Sequence, residues 1–133
     1  MNLFSPKGFL QVGGLVLLLV GILGFIGVIG PTSDKSLFGS FWWFDNAENI
    51  AHLVLGIAGL VAAYAFPTML QRYLVMLLGV VGVAVGLYNV VNTQLLGANL
   101  ENPADLILHL VVGVWALYAV FGGKKAAAEP AKV

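Results

Sequence analysis

An all-α integral membrane protein, a bundle of four transmembrane helices, is the fold class this sequence predicts, and three observations predict it. Of 133 residues, 60% are hydrophobic and 9% charged, against roughly 45–50% and 25% in soluble domains. A domain this small buries only about two-thirds of its unfolded surface, so water cannot be its only solvent. Charges also partition the chain. No Asp, Glu, Lys or Arg lies between Lys7 and Asp34, Glu48 and Arg72, Arg72 and Glu101, or Asp105 and Lys124. Each gap holds about 18–20 apolar residues, enough to cross roughly 30 Å of hydrocarbon. The third observation is an internal repeat, which makes the bundle two parallel helical hairpins.

The spans are expected near 9–29, 46–66, 72–91 and 103–122, within a single membrane domain of residues 1–133. Pro31 and Pro67 are expected to stop the first two. Helix 1 has some features of a signal peptide but is expected to be a retained span. A membrane barrel needs more segments, with polar–apolar alternation. Orientation follows from Lys and Arg. Lys7, Arg72, Lys124, Lys125 and Lys132 fall on one side and Lys35 alone on the other. Both termini are therefore expected in the cytoplasm of a bacterium, with the chain in its inner membrane. Loops of about 30–45 and 92–102 then face outward. Phe41, Trp42, Trp43 and Phe44 fit an aromatic belt at that outer interface. The polar tail 123–133 reads as a solvated end.

A shift of 57 residues lays helix 2 on helix 4. Ala47, Ile50, His52, Leu53, Gly56, Leu60 and Ala62 fall on Ala104, Ile107, His109, Leu110, Gly113, Leu117 and Ala119, and Glu48 falls on Asp105. Apolar identities are cheap in so biased a sequence. The acid-x-x-x-His-x-x-x-Gly match is not, because the chain has only two histidines. Helices 1 and 3 align more weakly at a shift of 58, with Gly21 and Gly24 on Gly79 and Gly82. Each repeat crosses twice, so the repeats are parallel and both histidines lie at one depth, about 9 Å into their helices.

Spacings of four and three put Glu48, His52, Gly56, Gly59 and Ala63 on one helix face, and Asp105, His109, Gly113 and Ala116 on another. Small residues permit close helix approach, and lipid disfavours the acid–histidine pair, so both stripes should pack on protein. The preferred reading is a polar clasp, in which each acid orients the histidine one turn deeper. The alternative is a tetrapyrrole site, with His52 and His109 ligating haem or a chlorophyll-type pigment and the glycines leaving room for a flat ring. A proton path would stop in the outer leaflet, since no helix carries an acid or base at its midplane. Two histidines and two carboxylates formally supply four zinc ligands, but only the repeat brings them together, so no metal is expected. Gly21, Gly24, Gly27 and Gly30 in helix 1, and Gly82 and Gly86 in helix 3, are read as packing positions, with docking to another subunit as the alternative.

The residues Gly21-Ile-Leu-Gly-Phe-Ile, Leu37-Phe-Gly, Asn49-Ile-Ala-His-Leu-Val-Leu-Gly-Ile-Ala-Gly-Leu and Asn102-Pro-Ala-Asp-Leu-Ile-Leu-His-Leu-Val-Val-Gly resemble a family of small bacterial four-helix membrane proteins carrying a domain of unknown function. The resemblance spans about residues 10–122, and the two His-Leu-x-x-Gly segments are its specific part. It implies the four-helix fold and supplies no activity.

No nucleophile–base–orienter set and no nucleotide fingerprint is visible, so no enzyme activity is expected. Zero net charge gives no footprint for nucleic acid. The expected role is a non-catalytic accessory subunit, with membrane lipid and other integral membrane subunits as partners and no cofactor. The alternative is a tetrapyrrole-binding subunit of a photosynthetic or respiratory chain.

Overall fold

A computed structural model describes residues 1–122; the tail expected at 123–133, with Lys124, Lys125 and Lys132, lies outside them. Four helices are long and apolar enough to cross a membrane: α1 (Pro6–Phe25), α2 (Asn46–Ala65), α3 (Thr68–Tyr88) and α4 (Ala104–Phe121). They define a multi-pass, all-α four-helix bundle. α1 runs along α2 and α3 along α4, and the two hairpins meet mainly where α1 touches α3 and α4.

Local chemistry sets the ends. Ser5 caps α1 by accepting from the Gly8 N–H at 3.1 Å, and Pro6 occupies the first turn, where its missing donor costs nothing. α1 then stops at Phe25, four residues short of the expected 29, and Pro31 is not its terminator. Gly27 takes a positive φ of 87°. The Val28 N–H closes on the Leu23 carbonyl at 3.1 Å, a six-to-one bond of the Schellman type. The apolar run Ile26–Ile29 conceals this stop, because composition cannot separate a helix from a buried loop. Ile29 pairs with Ser36 as an isolated bridge and accepts from the Phe44 N–H at 2.8 Å. α3 starts at Thr68 and ends at Tyr88, earlier at both ends than the expected 72–91.

α2 opens with a full capping box. Asp45 accepts from the Glu48 N–H at 2.9 Å, and Glu48 accepts from the Asp45 N–H at 3.1 Å. At its other end the buried carboxamide of Gln71 donates to the carbonyls of Ala62, Ala63 and Phe66 at 3.0, 2.9 and 3.1 Å. A side chain from α3 thus satisfies the orphan carbonyls of Ala63 and Phe66 where the chain turns back, while the Ala62 carbonyl also accepts from the Phe66 N–H. Gln71→Leu should lower stability by about 1–3 kcal/mol, the cost of unsatisfied buried acceptors. Thermal unfolding in detergent reads this, and an unchanged midpoint would show that water reaches those carbonyls.

At this turn end Phe9, Leu10, Ala62, Ala63, Val75, Ala116, Ala119 and Val120 form the apolar core. The opposite end is closed by residues 26–45 and 89–103, the latter carrying a small antiparallel pair, β1 (Gln94–Leu95) and β2 (Ala98–Asn99). We call it the capped end.

The packing fixes the repeat between α1 and α3 at a shift of 65 residues, not 58. A methyl added at Gly14 would lie 3.1 Å from Leu60 Cγ, and one at Gly79 would lie 2.8 Å from Leu117 Cγ. One at Gly21 would lie 2.9 Å from Leu53 Cγ, and one at Gly86 would lie 2.9 Å from Leu110 Cγ. Gly14, Leu18 and Gly21 therefore correspond to Gly79, Val83 and Gly86. Glycines recurring every turn let the sequence slide by two turns without losing a match.

Candidate functional site

The two stripes converge at the capped end. Glu48 opens α2 and Asp105 opens α4, and both face the bundle interior with 5% and 1% of their surface exposed. Glu101, in the loop before α4 and 8% exposed, joins them. One carboxyl oxygen from each of the three lies within 4.8 Å of the others. The described cations lie elsewhere. Lys7 and Arg72 sit at the turn end, and Lys35 is exposed in the 26–45 loop.

Backbone and side-chain donors hold the acids in place. Asp105 Oδ1 accepts from Trp42 Nε1 at 3.1 Å, and its Oδ2 accepts from the Glu101 N–H at 2.7 Å. Asp45 Oδ2 accepts from the Asn99 N–H at 2.7 Å. These bonds tie the first hairpin's cap to the second's. Glu101 Oε1 accepts from Asn99 Nδ2, while no N–H or hydroxyl donor of the described residues meets the buried Glu101 Oε2. Burial, and then the hydrogen bond and charge of the Asp105 carboxylate, push the Glu101 carboxyl up to about 8. It therefore keeps its proton at neutral pH.

The repeat explains part of this architecture. Asn49 on α2 donates to the Phe44 carbonyl at 3.4 Å, and Asn89 at the end of α3 donates to the Glu101 carbonyl at 3.3 Å. Phe44 and Glu101 are equivalent at the shift of 57. The asparagine is supplied by opposite helices of the two hairpins. Asn49 lies against Gly24, and Asn89 occupies the position equivalent to Gly24.

The histidines do not behave as a clasp. His109 Nδ1 lies 2.7 Å from the Asp105 main-chain oxygen, not its carboxylate. Among the described residues His52 Nδ1 has no partner, and its ring packs on Phe44 with centroids 4.7 Å apart. Neither imidazole belongs to the group formed by the carboxyls. The acids are committed to Trp42 and to backbone N–H groups, so neither carboxylate orients the histidine below it. The room a flat ring would need is also taken. A methyl on Gly56 would lie 2.6 Å from Leu18 N and 2.8 Å from Gly14 O, and one on Gly113 would lie 2.7 Å from Val83 N.

Other glycines lie at the same hairpin interfaces. Gly82 approaches Gly113 Cα, and Gly59 lies in ordinary contact with Gly14. The expected aromatic belt is split, with Trp42 and Trp43 half-buried. Phe44 is buried and stacks edge-on with Trp42, whose indole bonds Asp105, while Phe41 is exposed.

Fold and site together define a multi-pass helical membrane protein with an acid-lined cap at one end. The chain belongs to the DUF4383 family, a domain of unknown function, whose family model matches residues 7–124. Searches of curated proteins and of solved structures gave no match.

Proposed function

We propose that this chain is a non-catalytic subunit of a larger assembly in the bacterial cytoplasmic membrane, with both termini in the cytoplasm and the capped end on the opposite side. The observation that supports it is the placement of apolar side chains on the cap. Leu37, Val91 and Leu96 are 79%, 84% and 98% exposed, on loops beyond the ends of the helices. Lipid covers apolar residues along helix shafts, but water disfavours them on loop tips. Leu96 even holds a positive φ of 51° at the tip between β1 and β2, a conformation that leucine adopts at a cost. A protein partner covering these tips accounts for all three.

A photo-crosslinking residue at position 96 should give one adduct of discrete mass in cells, whereas the same residue at Val111, on the exposed face of α4, should give lipid adducts. Leu96→Asp should leave membrane insertion unchanged and abolish co-purification of that partner. Lipid adducts alone at position 96 would show instead that the cap dips into the headgroup layer and would overturn the reading. Orientation is read separately. Cysteines placed at Asp34 and Asn92 should react with an impermeant thiol reagent applied from outside the cytoplasmic membrane, and one at Ala127 should not; the reverse pattern inverts the topology.

A further inference from the structure

Hydrogen-bond accounting locates a proton at the capped end. Asp105 accepts at both carboxyl oxygens, from Trp42 Nε1 at 3.1 Å and from the Glu101 N–H at 2.7 Å, the pattern of an ionised carboxylate. Glu101 accepts from Asn99 at Oε1, and no N–H or hydroxyl donor of the described residues meets its buried Oε2. The Glu101 and Asp105 carboxyls are themselves hydrogen-bonded. Two carboxylates cannot bond each other, because neither has a donor. The proton therefore sits on Glu101 Oε2, and Asp105 accepts it. Around the pair the charges are mostly acidic. Glu48 and the capping Asp45 face it from α2, and His52 and His109 lie one turn deeper on α2 and α4, outside the carboxyl group. Asp34 and Lys35 are exposed in the 26–45 loop, and no Lys or Arg of the described residues meets the pair.

Glu101 is also the residue on which the 89–103 loop hangs. Its carbonyl accepts from the Asp105 N–H at 2.8 Å and from Asn89 Nδ2 at 3.3 Å. Its carboxyl receives Asn99, whose own N–H reaches Asp45 across the hairpins at 2.7 Å. We propose that the proton shared by Glu101 and Asp105 is a latch: while it is present the 89–103 loop is closed on the ends of α2 and α4, and its loss on raising the pH releases that loop. Ionising Glu101 replaces a hydrogen bond with the repulsion of two buried carboxylates, which burial makes costly. Relief lies close by. Glu101 lines an open, polar cleft of about 300 Å³ with Ser40, Thr93, Asn99 and Asn102, where an ionised side chain turned outward is hydrated. Turning it outward breaks the bond to Asn99 and loosens the link to Asp45, so the loop moves with it. The first hairpin has no such latch, because the equivalent of Glu101 at the shift of 57 is Phe44. The latch belongs to this chain alone and does not depend on whether a partner subunit covers the cap.

The chain has no cysteine, so single ones report opening without interference. Leu100→Cys reports on the loop, because Leu100 is buried, and Leu96→Cys on the exposed tip is the reference. The ratio of their labelling rates, measured on the full chain in detergent, removes the pH dependence of the thiol itself. A hydrated Glu101 in the open loop releases its proton above its ordinary 4.5, whereas the closed loop holds it up to about 8. The ratio should therefore climb by up to about tenfold per pH unit within that window and level off above it. Glu101→Gln still accepts from Asn99 and still donates to Asp105, so on the Leu100→Cys background it should keep the ratio low and flat. Asp34→Asn, on an exposed acid of the 26–45 loop, should follow the parent. A second measurement needs no variant: the infrared band of a protonated carboxyl should be present at neutral pH and vanish where the ratio levels off. A flat ratio in the parent, a Glu101→Gln that climbs like the parent, or a band absent at neutral pH would each overturn the latch. Should Glu101→Gln not fold, the parent's ratio and band decide.

Discussion

Gly56→Leu and Gly113→Leu are expected to unfold the bundle at markedly lower temperature in detergent, while Ala58→Leu leaves the midpoint where it was. At Gly56 even a methyl would meet main-chain atoms of Leu18 and Gly14 at 2.6 and 2.8 Å. At Gly113 it would meet Val83 N at 2.7 Å and Gly79 O at 3.0 Å. The obstacle is backbone, which cannot rotate aside as a side chain can. Relief requires α1 to move off α2, or α3 off α4. Within a membrane that separation forfeits dispersion contacts with no hydrophobic effect to restore them, since lipid is as apolar as the interface. Overpacking typically costs about 1–3 kcal/mol, and a rigid backbone obstacle places both variants at or above the upper end. Ala58 lies on the exposed face of α2, where lipid accommodates the larger side chain. If both glycine variants melt with the control, the hairpins pack some other way.

Those glycines were legible in the sequence because composition and spacing report helices and their close faces directly. The helix ends were less so. Gly27 stops α1 inside a run of apolar residues, and only its positive φ and the Val28-to-Leu23 bond reveal it. The register of α1 against α3 was lost for a related reason: glycines repeat with the helical turn, and several shifts score alike. The repeat did single out Glu48 and Asp105, which the fold brings together. It could not disclose Glu101, because the equivalent residue in the first hairpin is Phe44, and the cluster is built where the symmetry fails. One signal was present, since Glu101 and Asp105 are four residues apart, but Pro103 between them argues for a loop and conceals the pairing. Gln71 was equally silent, because its role depends on α2 carbonyls that become neighbours only after the chain has turned.

Asp105→Ala is expected to cost roughly 3 kcal/mol or more, and Trp42→Phe about 1 kcal/mol. With Asp105 gone, Trp42 Nε1 and the Glu101 N–H both lose their acceptor, and each buried orphan costs about 1–3 kcal/mol. An opposing effect exists, because deleting a carboxylate relieves its repulsion with Glu48 and Glu101. That relief is small at neutral pH, where Glu101, with its carboxyl pushed up to about 8, is largely protonated and carries little charge to repel. Desolvated donors therefore outweigh relieved charge. Trp42→Phe keeps the ring packing on Phe44 and Phe38 and removes only the indole donor, so the remaining Asp105 oxygen is the smaller loss. The two substitutions share one bond and should be non-additive, with the double variant less destabilised than the sum by about 0.5 kcal/mol or more. Unfolding followed in detergent gives all four stabilities. Additive losses would place the indole and the carboxylate in separate environments. A wild-type-like Asp105→Ala would mean that water, not protein, satisfies the donors at the capped end.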